Sequence, residues 1–273
     1  MKILVLGASG LLGSNILTNF KKKYEILGPT RKRLDLSNSL SLTNIDNDFD
    51  VLIYCAQYRP KSIDQTEDPS ELENINGISI NWLINYLPKL QKIIYMSTGG
   101  LYENSQELLS EISPIKKLGE MSPYFRSKIK TEELLLNSVK DIEVNILRIF
   151  TMYGKGAHST SLMPRLYDKI NKQEPIHSSM HLGNRLRPVH VLDVVNAIEH
   201  LLSYKKSGIF NIGGPEVLYF QDIVHRIAEF NKFKPKFAIS NEKQITLAPD
   251  NKLLTSTLYL PKIYFSGNWD SNI

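Results

Sequence analysis

Short apolar runs alternate with longer amphipathic stretches through the first half of the chain. Ile3–Leu6 is continuously apolar and stops at a glycine, which predicts a buried strand. Leu11–Phe20 follows with helical periodicity, and Tyr24–Leu27 reads as a second short strand. Val51–Ala56, Ile93–Ser97 and Val144–Ile149 predict three further strands, with helices at Asn76–Leu87 and Tyr124–Ser138 between them. Strands apolar on both faces and separated by helices build right-handed βαβ units. The expected fold class is therefore α/β, with a parallel, doubly wound sheet covered on both faces. The second half is less regular. Leu162–Asn171, Val191–Leu202 and Phe220–Phe230 predict helices and Ile209–Ile212 a strand, while no element is predicted after Asn231. Neither an internal repeat nor a low-complexity linker is present.

The first strand runs directly into Gly7-Ala8-Ser9-Gly10-Leu11-Leu12-Gly13. One glycine permits the tight reversal, a second lets backbone approach a pyrophosphate, and a third lets helix and strand pack closely. The helix N-terminus then offers free N–H groups and the positive end of its dipole to an anion. The spacing is G-x-x-G-x-x-G, and an ordinary strand-to-helix turn is the competing reading. The position, straight after an apolar strand, favours a dinucleotide. The end of the second strand selects between cofactors: a carboxylate there takes the ribose hydroxyls, and a basic residue accommodates a 2′-phosphate. Gly28-Pro29-Thr30-Arg31-Lys32-Arg33-Leu34-Asp35 holds three basic residues and no carboxylate before Asp35. NADP is expected over NAD, with Arg31 on the phosphate. A solvated basic loop is the alternative.

Tyr124-Phe125-Arg126-Ser127-Lys128 sets a tyrosine and a lysine four apart at the start of a helix, on one face. A phenol with a pKa near ~10 is a poor proton carrier at neutral pH. A neighbouring ammonium favours the phenolate. The tyrosine can then exchange a proton with a sugar or alcohol oxygen while hydride moves at the adjacent carbon. Alone, this pair also fits a solvated helix face. The strand ending Ser97-Thr98-Gly99-Gly100 adds hydroxyls at the sheet's C-terminal edge, where open parallel sheets bind ligands. Thr98 is placed to donate to the oxygen that Tyr124 serves, or else to cap a turn.

From Met1 to about Phe230 the chain resembles the extended short-chain dehydrogenase/reductase family, of the NAD(P)-dependent nucleotide-sugar epimerase, dehydratase and reductase kind. The resemblance rests on Gly7, Gly10 and Gly13, the Cys55-Ala56 strand end, Asn74, Thr98, Tyr124 and Lys128. It extends to Arg148-Ile149-Phe150-Thr151-Met152-Tyr153-Gly154, Arg187-Pro188-Val189-His190-Val191-Leu192-Asp193-Val194 and Phe210-Asn211-Ile212-Gly213-Gly214. It implies a Rossmann-type domain over residues 1–152, to which 188–212 return, and a smaller substrate domain from 153–187 and 213–273. It implies a catalytic set of Thr98, Tyr124 and Lys128. Cofactor contacts are implied at Gly7, Ser9, Gly10, Leu11, Leu12, Gly13, Arg31, Asp35, Leu36, Cys55, Ala56, Gln57, Asn74, Lys128, Ile149 and Phe150. Substrate contacts are implied at Thr98, Gly99, Tyr124, Thr151, Arg185 and Arg187. Thr30-Arg31 followed by Leu34-Asp35-Leu36 is most similar to the NADP-using 4-ketoreductases.

Departures from the family pattern narrow the chemistry. The 4,6-dehydratases follow the catalytic threonine with Asp-Glu, where this chain has Gly99-Gly100. Without that carboxylate pair, loss of water is not expected. Thr151 stands where many members carry asparagine, and Gln57 replaces a small residue. Arg187 matches an arginine that binds a nucleotide diphosphate, and a guanidinium fork suits two phosphates. A rim arginine packed on the domain edge is an equal reading. The second phosphate arginine of the family has no counterpart, since no arginine follows Ser240.

The chain has 273 residues, 42% hydrophobic and 22% charged, which suffices to fill a core and excludes a disordered tail. A net charge of +5 suits anionic small molecules and nucleic acid alike. The lysine clusters lack interleaved aromatics, so nucleic-acid binding is not expected. A single cysteine excludes an intramolecular disulfide framework, and a reducing, cytoplasmic compartment fits. The six histidines show no metal spacing, and no metal is expected. No run approaches the ~20 apolar residues of a membrane span, and Met1–Gly13 reads as strand and turn, not a signal peptide. The resemblance permits a homodimer through the helices at Ile78–Leu87 and Tyr124–Ser138. The expected activity is NADP-dependent reduction of a nucleotide-activated 4-keto-hexose. The alternatives are a 4-epimerase using the same groups and a non-catalytic NADP sensor.

Overall fold

The apolar runs of the first half become the strands of one sheet. In the computed structural model, which describes residues 1–58, 72, 74–138 and 141–270, these are β1 (Lys2–Leu6), β2 (Glu25–Leu27), β3 (Val51–Tyr54), β4 (Lys92–Thr98) and β5 (Glu143–Ile149). A sixth strand, β10 (Gly208–Ile212), completes the order β10-β5-β4-β3-β1-β2. β1 pairs in parallel with β2 on one side and β3 on the other, and β3 pairs in parallel with β4. The strand order thus reverses at β1. The crevice beyond the C-terminal ends of β1 and β3 is the topological switch point of a Rossmann-type sheet.

Among the described residues the first half carries the α-helices α1 (Leu11–Phe20), α2 (Ser79–Tyr86) and α3 (Pro123–Ser138). α1 keeps the bounds that the periodicity gives. The helix expected at Asn76–Leu87 opens instead as one π turn, Asn74–Ile78, before α2 begins. The predicted strand at Val51–Ala56 stops at Tyr54, because Cys55 and Ala56 close against the glycine turn.

The chain divides into two compact units, the first being Met1–Leu101, Lys116–Arg148 and Ile198–Phe210. The second is Tyr102–Ile115, Ile149–Ala197 and Asn211–Ile273. The sequence reading placed 102–115 with the sheet and began the return at 188. The hydrogen bonds explain the difference. Tyr102 donates its hydroxyl to Asn211 at 2.7 Å, Asn211 donates to the Leu109 carbonyl at 2.9 Å, and Leu109 N–H reaches Ala248 O at 3.0 Å. Residues 271–273 of the expected substrate domain lie outside the described residues.

The second unit holds β6 (Met152–Tyr153), α4 (Leu162–Asn171), β7 (Pro175–Ser178), β8 (Arg185–Leu186), β9 (Val189–His190) and most of α5 (Val191–Ser203). β11 (Leu218–Tyr219), α6 (Phe220–Phe230), β12 (Lys236–Ile239), β13 (Thr246–Leu247) and α7 (Lys252–Thr257) follow. The strands after Asn231 are two to four residues long, too short for alternation to register. The C-terminal segment is held by two carboxylates. Asp193, fully buried, accepts the Tyr259 hydroxyl at 2.7 Å and the backbone N–H groups of Lys262 and Ile263 at 3.1 and 2.9 Å. Glu216 accepts the Phe265 N–H at 3.2 Å and pairs with Arg226 at 2.6 Å, and Arg226 donates to the Phe265 carbonyl. The Phe265 ring then lies buried edge-on to Tyr153, centroids 5.0 Å apart. Among the described residues, no helix is long and apolar enough to cross a membrane.

Removing the Asp193 carboxylate leaves three partly buried donors without their acceptor, at about 1 kcal/mol each. Asp193→Ala is expected to lower stability in urea unfolding by about 3 kcal/mol, and limited proteolysis of this variant should cut first between residues 258 and 266.

Candidate active site

The glycine turn forms as its spacing requires. Gly7 has φ +80, a conformation open to glycine, and a Cβ there would sit 2.6 Å from the Ala56 nitrogen. A Cβ on Gly13 would lie 2.3 Å from the Gly7 carbonyl oxygen, so the third glycine brings helix against turn. Gly10 caps α1 with no side chain over the helix end. Ser9 is exposed, while Leu11 and Leu12 turn into the core. The uncapped N-terminus and the close backbone fit a dinucleotide diphosphate. The turn touches Cys55 and Ala56 across the switch point, which brings the predicted cofactor residues of β1 and β3 together. Ala56 is buried, and Gln57 is exposed at the rim.

Beyond β2, Arg31 is exposed and its Nε lies 3.5 Å from the Asp35 carboxylate. The Ser37 N–H donates to Asp35 at 3.0 Å and, with Arg31, holds its carboxyl below the usual range. Asp35 therefore stays ionised and folded back on its own loop, where it pairs with Arg31. Leu36 is half-buried beside it.

α3 carries Tyr124, Lys128 and Glu132 at successive turns of one face. Lys128 is only 2% exposed. Its Nζ donates to the Met96 carbonyl at 2.8 Å, and lies 4.7 Å from the Tyr95 ring centre and 5.9 Å from that of Tyr124. Burial pushes the ammonium down to about 8, against the opposing pull of Cys55 and Glu132. This is a desolvated cation beneath a half-buried tyrosine, not a pair on a solvated helix face. The Cys55 thiol nearby is pushed up to about 12 by its burial and stays protonated. Thr98 ends β4, and its Oγ1 accepts the Gly100 N–H at 3.1 Å. That bond caps the turn with a lone pair and leaves the hydroxyl proton for a further acceptor. A Cβ on Gly100 would meet the Phe125 ring at 2.5 Å, so the Thr98–Gly100 corner packs on the residue beside Tyr124. Gly99 is buried within that corner.

Residues outside the predicted site set hold this face. Arg148 on β5 forks onto Glu132, Nη2 to Oε2 at 2.6 Å and Nε at 3.2 Å, both residues buried. Ser97 donates its hydroxyl to the same carboxylate. Asn76, fully buried in the π turn, donates to Ser127 at 2.9 Å, and Thr131 donates to the Asn76 carbonyl. The signal was present as an arginine inside an apolar strand and a glutamate continuing the four-residue spacing. Asn74, the predicted cofactor residue, lies in the same turn, and its side chain is outside the described residues.

The remaining predicted residues belong to the second unit. Phe150 stacks on Tyr102, rings 6.1 Å apart, next to a half-buried Ile149. Thr151 accepts the Val189 N–H through its carbonyl at 2.9 Å. Arg185 donates to the Gln106 carbonyl at 3.3 Å. Arg187 is half-buried and bonds three carbonyls: Gly214 at 2.7 Å, Pro249 at 3.0 Å and Pro215 at 3.4 Å. Burial holds it below its usual value. Among the described residues, no cluster of acidic, histidine or cysteine side chains is arranged for a metal ion.

A profile of the NAD dependent epimerase/dehydratase family matches residues 3–213. The chain belongs to that family. Its members are enzymes of the extended short-chain dehydrogenase/reductase type, and the Rossmann-like sheet agrees. The chain is 26% identical over 196 residues to the GDP-6-deoxy-D-talose 4-dehydrogenase of Aggregatibacter actinomycetemcomitans, covering 67% of this chain and 63% of the relative. It is 24% identical over 271 residues to a dTDP-D-glucose 4,6-dehydratase of Dictyostelium discoideum, covering 83% of this chain and 61% of the relative. The chain thus spans less than two thirds of the length of these two curated relatives. The structure of RMD from Pseudomonas aeruginosa complexed with NADPH superposes with a TM-score of 0.78 at 19% identity, over 98% of each chain. That likeness is one of fold.

The buried ammonium of this family member makes stability depend on pH. Lys128 falls from its ordinary 10.5 to about 8 on folding. Between those values the unfolded chain binds a proton that the folded chain lacks, so stability rises with pH across the window and is lost as pH falls through 8. The burial cost below that point is about 3 kcal/mol. Lys128→Met is expected to be more stable than the native chain in urea at pH 7, with the margin closing by pH 10.

Proposed function

We propose that the chain is an NADP-dependent reductase of a nucleotide-linked 4-keto-hexose. The observation that carries this reading is the Lys128 ammonium buried under Tyr124, bonded to the end of β4 beside Thr98. In a dry site the field of that cation on the phenol is stronger than in water. It eases proton release from Tyr124. Tyr124 gives its proton to the carbonyl oxygen of the sugar, and the Thr98 hydroxyl donates to the same oxygen and fixes its direction. A bound dihydronicotinamide supplies the hydride. Gly7, Gly10 and Gly13 let the backbone reach the diphosphate, and Arg31 meets the 2′-phosphate.

Gly99 and Gly100 occupy the place where a dehydratase needs acids, and Phe125 fills the space that a side chain at Gly100 would take. This supports simple reduction over loss of water. A 4-epimerase would use the same three side chains and return hydride to the opposite face. The similarity to a 4-dehydrogenase of a GDP-linked sugar supports oxidoreduction at carbon 4.

The test is loss of the reduced nicotinamide band when protein and NADPH meet a panel of nucleotide-linked 4-keto-hexoses. Substrate-dependent loss is expected, with Tyr124→Phe slower by at least ~10²-fold and NADPH binding within about threefold of native. Sugar isomerised with no net loss of the band would replace this reading with the epimerase. Charge-assisted contacts contribute about 1.5–3 kcal/mol, so Arg31→Ala should weaken NADPH binding roughly 10- to 100-fold and leave NADH nearly unchanged. Equal loss for both cofactors would remove Arg31 from the phosphate.

A further inference from the structure

Two charged residues are buried at the sheet-facing side of α3 without belonging to the proposed chemistry: Glu132, 1% exposed, and Arg148, 4% exposed. We propose that Glu132, clamped by Arg148 and Ser97, is the positioning residue of the Tyr124–Lys128 pair, fixing where α3 sits on the sheet edge and supplying the negative charge that keeps Lys128 an ammonium. This rests on the catalytic reading of Tyr124 and Lys128 given above.

The geometry runs as one row. Glu132 lies a single helical turn beyond Lys128, which lies a single turn beyond Tyr124. Lys128 bonds the carbonyl of Met96, and Glu132 takes the hydroxyl of the next residue, Ser97. The helix is thereby pinned to β4 at consecutive positions, and Arg148 pins it to β5 through a forked contact at 2.6 and 3.2 Å. A rotation or slide of α3 would break all three bonds together. The groups facing Lys128 are the Cys55 thiol after β3, the Tyr95 ring and Met96 carbonyl of β4, and Tyr124 and Glu132 of its own helix. Arg148 stands behind Glu132. Among these, Glu132 carries the stabilising negative charge, since the Cys55 thiol is held protonated.

Two variants separate charge from shape. In Glu132→Gln the amide oxygen still accepts from Arg148 and the amide nitrogen donates to a reversed Ser97 hydroxyl, so the contacts survive without the charge. In Glu132→Leu/Arg148→Met the whole ion pair becomes apolar, a replacement that buried pairs often tolerate. The full chain is grown with lysine labelled at Cε with carbon-13, the Lys128 signal is assigned by Lys128→Arg, and its titration is followed by NMR. Native Lys128 should titrate near 8. Glu132→Gln, which leaves the Arg148 charge unbalanced, should titrate at least one pH unit lower, and the double variant, which removes both charges, should move the same way by less. The alkaline limb of the kcat profile should move down with them, and kcat of Glu132→Gln at pH 8 should fall at least about fivefold with KM for NADPH within threefold. A folded variant with native Lys128 titration and native kcat overturns the proposal. Failure of every variant to fold also overturns it, because the pair then carries the fold and not the site. Full activity in Tyr124→Phe would instead sink the catalytic reading, while the titration still reports on Glu132.

Discussion

Burying a charge on the inner face of α3 is the constraint around which the sheet edge is arranged. A desolvated ammonium is expensive unless it is paired and bonded. Lys128 meets the Met96 carbonyl and the faces of two aromatic rings, and Glu132 one turn along offsets its charge. Glu132 is itself buried and needs a cation, which Arg148 supplies from the neighbouring strand. The consequence is a chain of obligations running from Tyr124 through Lys128 and Glu132 to β5. Within it, removing Glu132 or Arg148 alone leaves the other a bare buried charge. Such a network has little slack, and a proton-transfer site needs side chains held to a fraction of an ångström.

The glycine turn solves a different problem at the same edge of the sheet. There the requirement is absence of side chains, since any Cβ on Gly7 or Gly13 would collide with backbone within 2.6 Å. Tight closure of turn on helix is what leaves the end of α1 bare of side chain. The two halves of the first unit thus differ in kind: one side is built from missing atoms and the other from buried ions. Cys55 and Ala56 lie where they approach, touching Gly7 on one side and, through the Cys55 thiol, sensing Lys128 on the other.

Much of the first unit was legible because its signals are local. The apolar run at Ile3–Leu6, the glycines after it and the pair Tyr124 and Lys128 each depend on residues within a turn of one another. α1, α4 and α6 keep the bounds that periodicity alone gives. The ion pair of Glu132 and Arg148 was missed because it joins residues sixteen apart whose partnership exists only once helix and strand are packed. The segment 102–115 groups with the second unit through partners that lie a hundred residues or more away, Asn211, Thr246 and Ala248, and no local pattern announces them. The short strands after Asn231 owe their place to β7 and β8, not to any pattern of their own.

Arg187 shows how geometry changes the weight of a motif. In the sequence it reads equally as a phosphate fork or as a packed rim residue. In the structure its guanidinium ties three carbonyls from two separate segments, Gly214 and Pro215 on one and Pro249 on the other. A guanidinium has five N–H donors, and this clamp engages each of its three nitrogens. To grip a diphosphate with both arms it would have to release carbonyls that are themselves half-buried, at about the net cost of the bonds lost. The remaining donors can reach at most a single phosphate without that loss. Arg185, bonded to one carbonyl at 3.3 Å, is the less committed of the two. Asp193 and Glu216 follow the same pattern, since the partners of both are groups of the chain itself, among them the backbone N–H groups of Ile263 and Phe265.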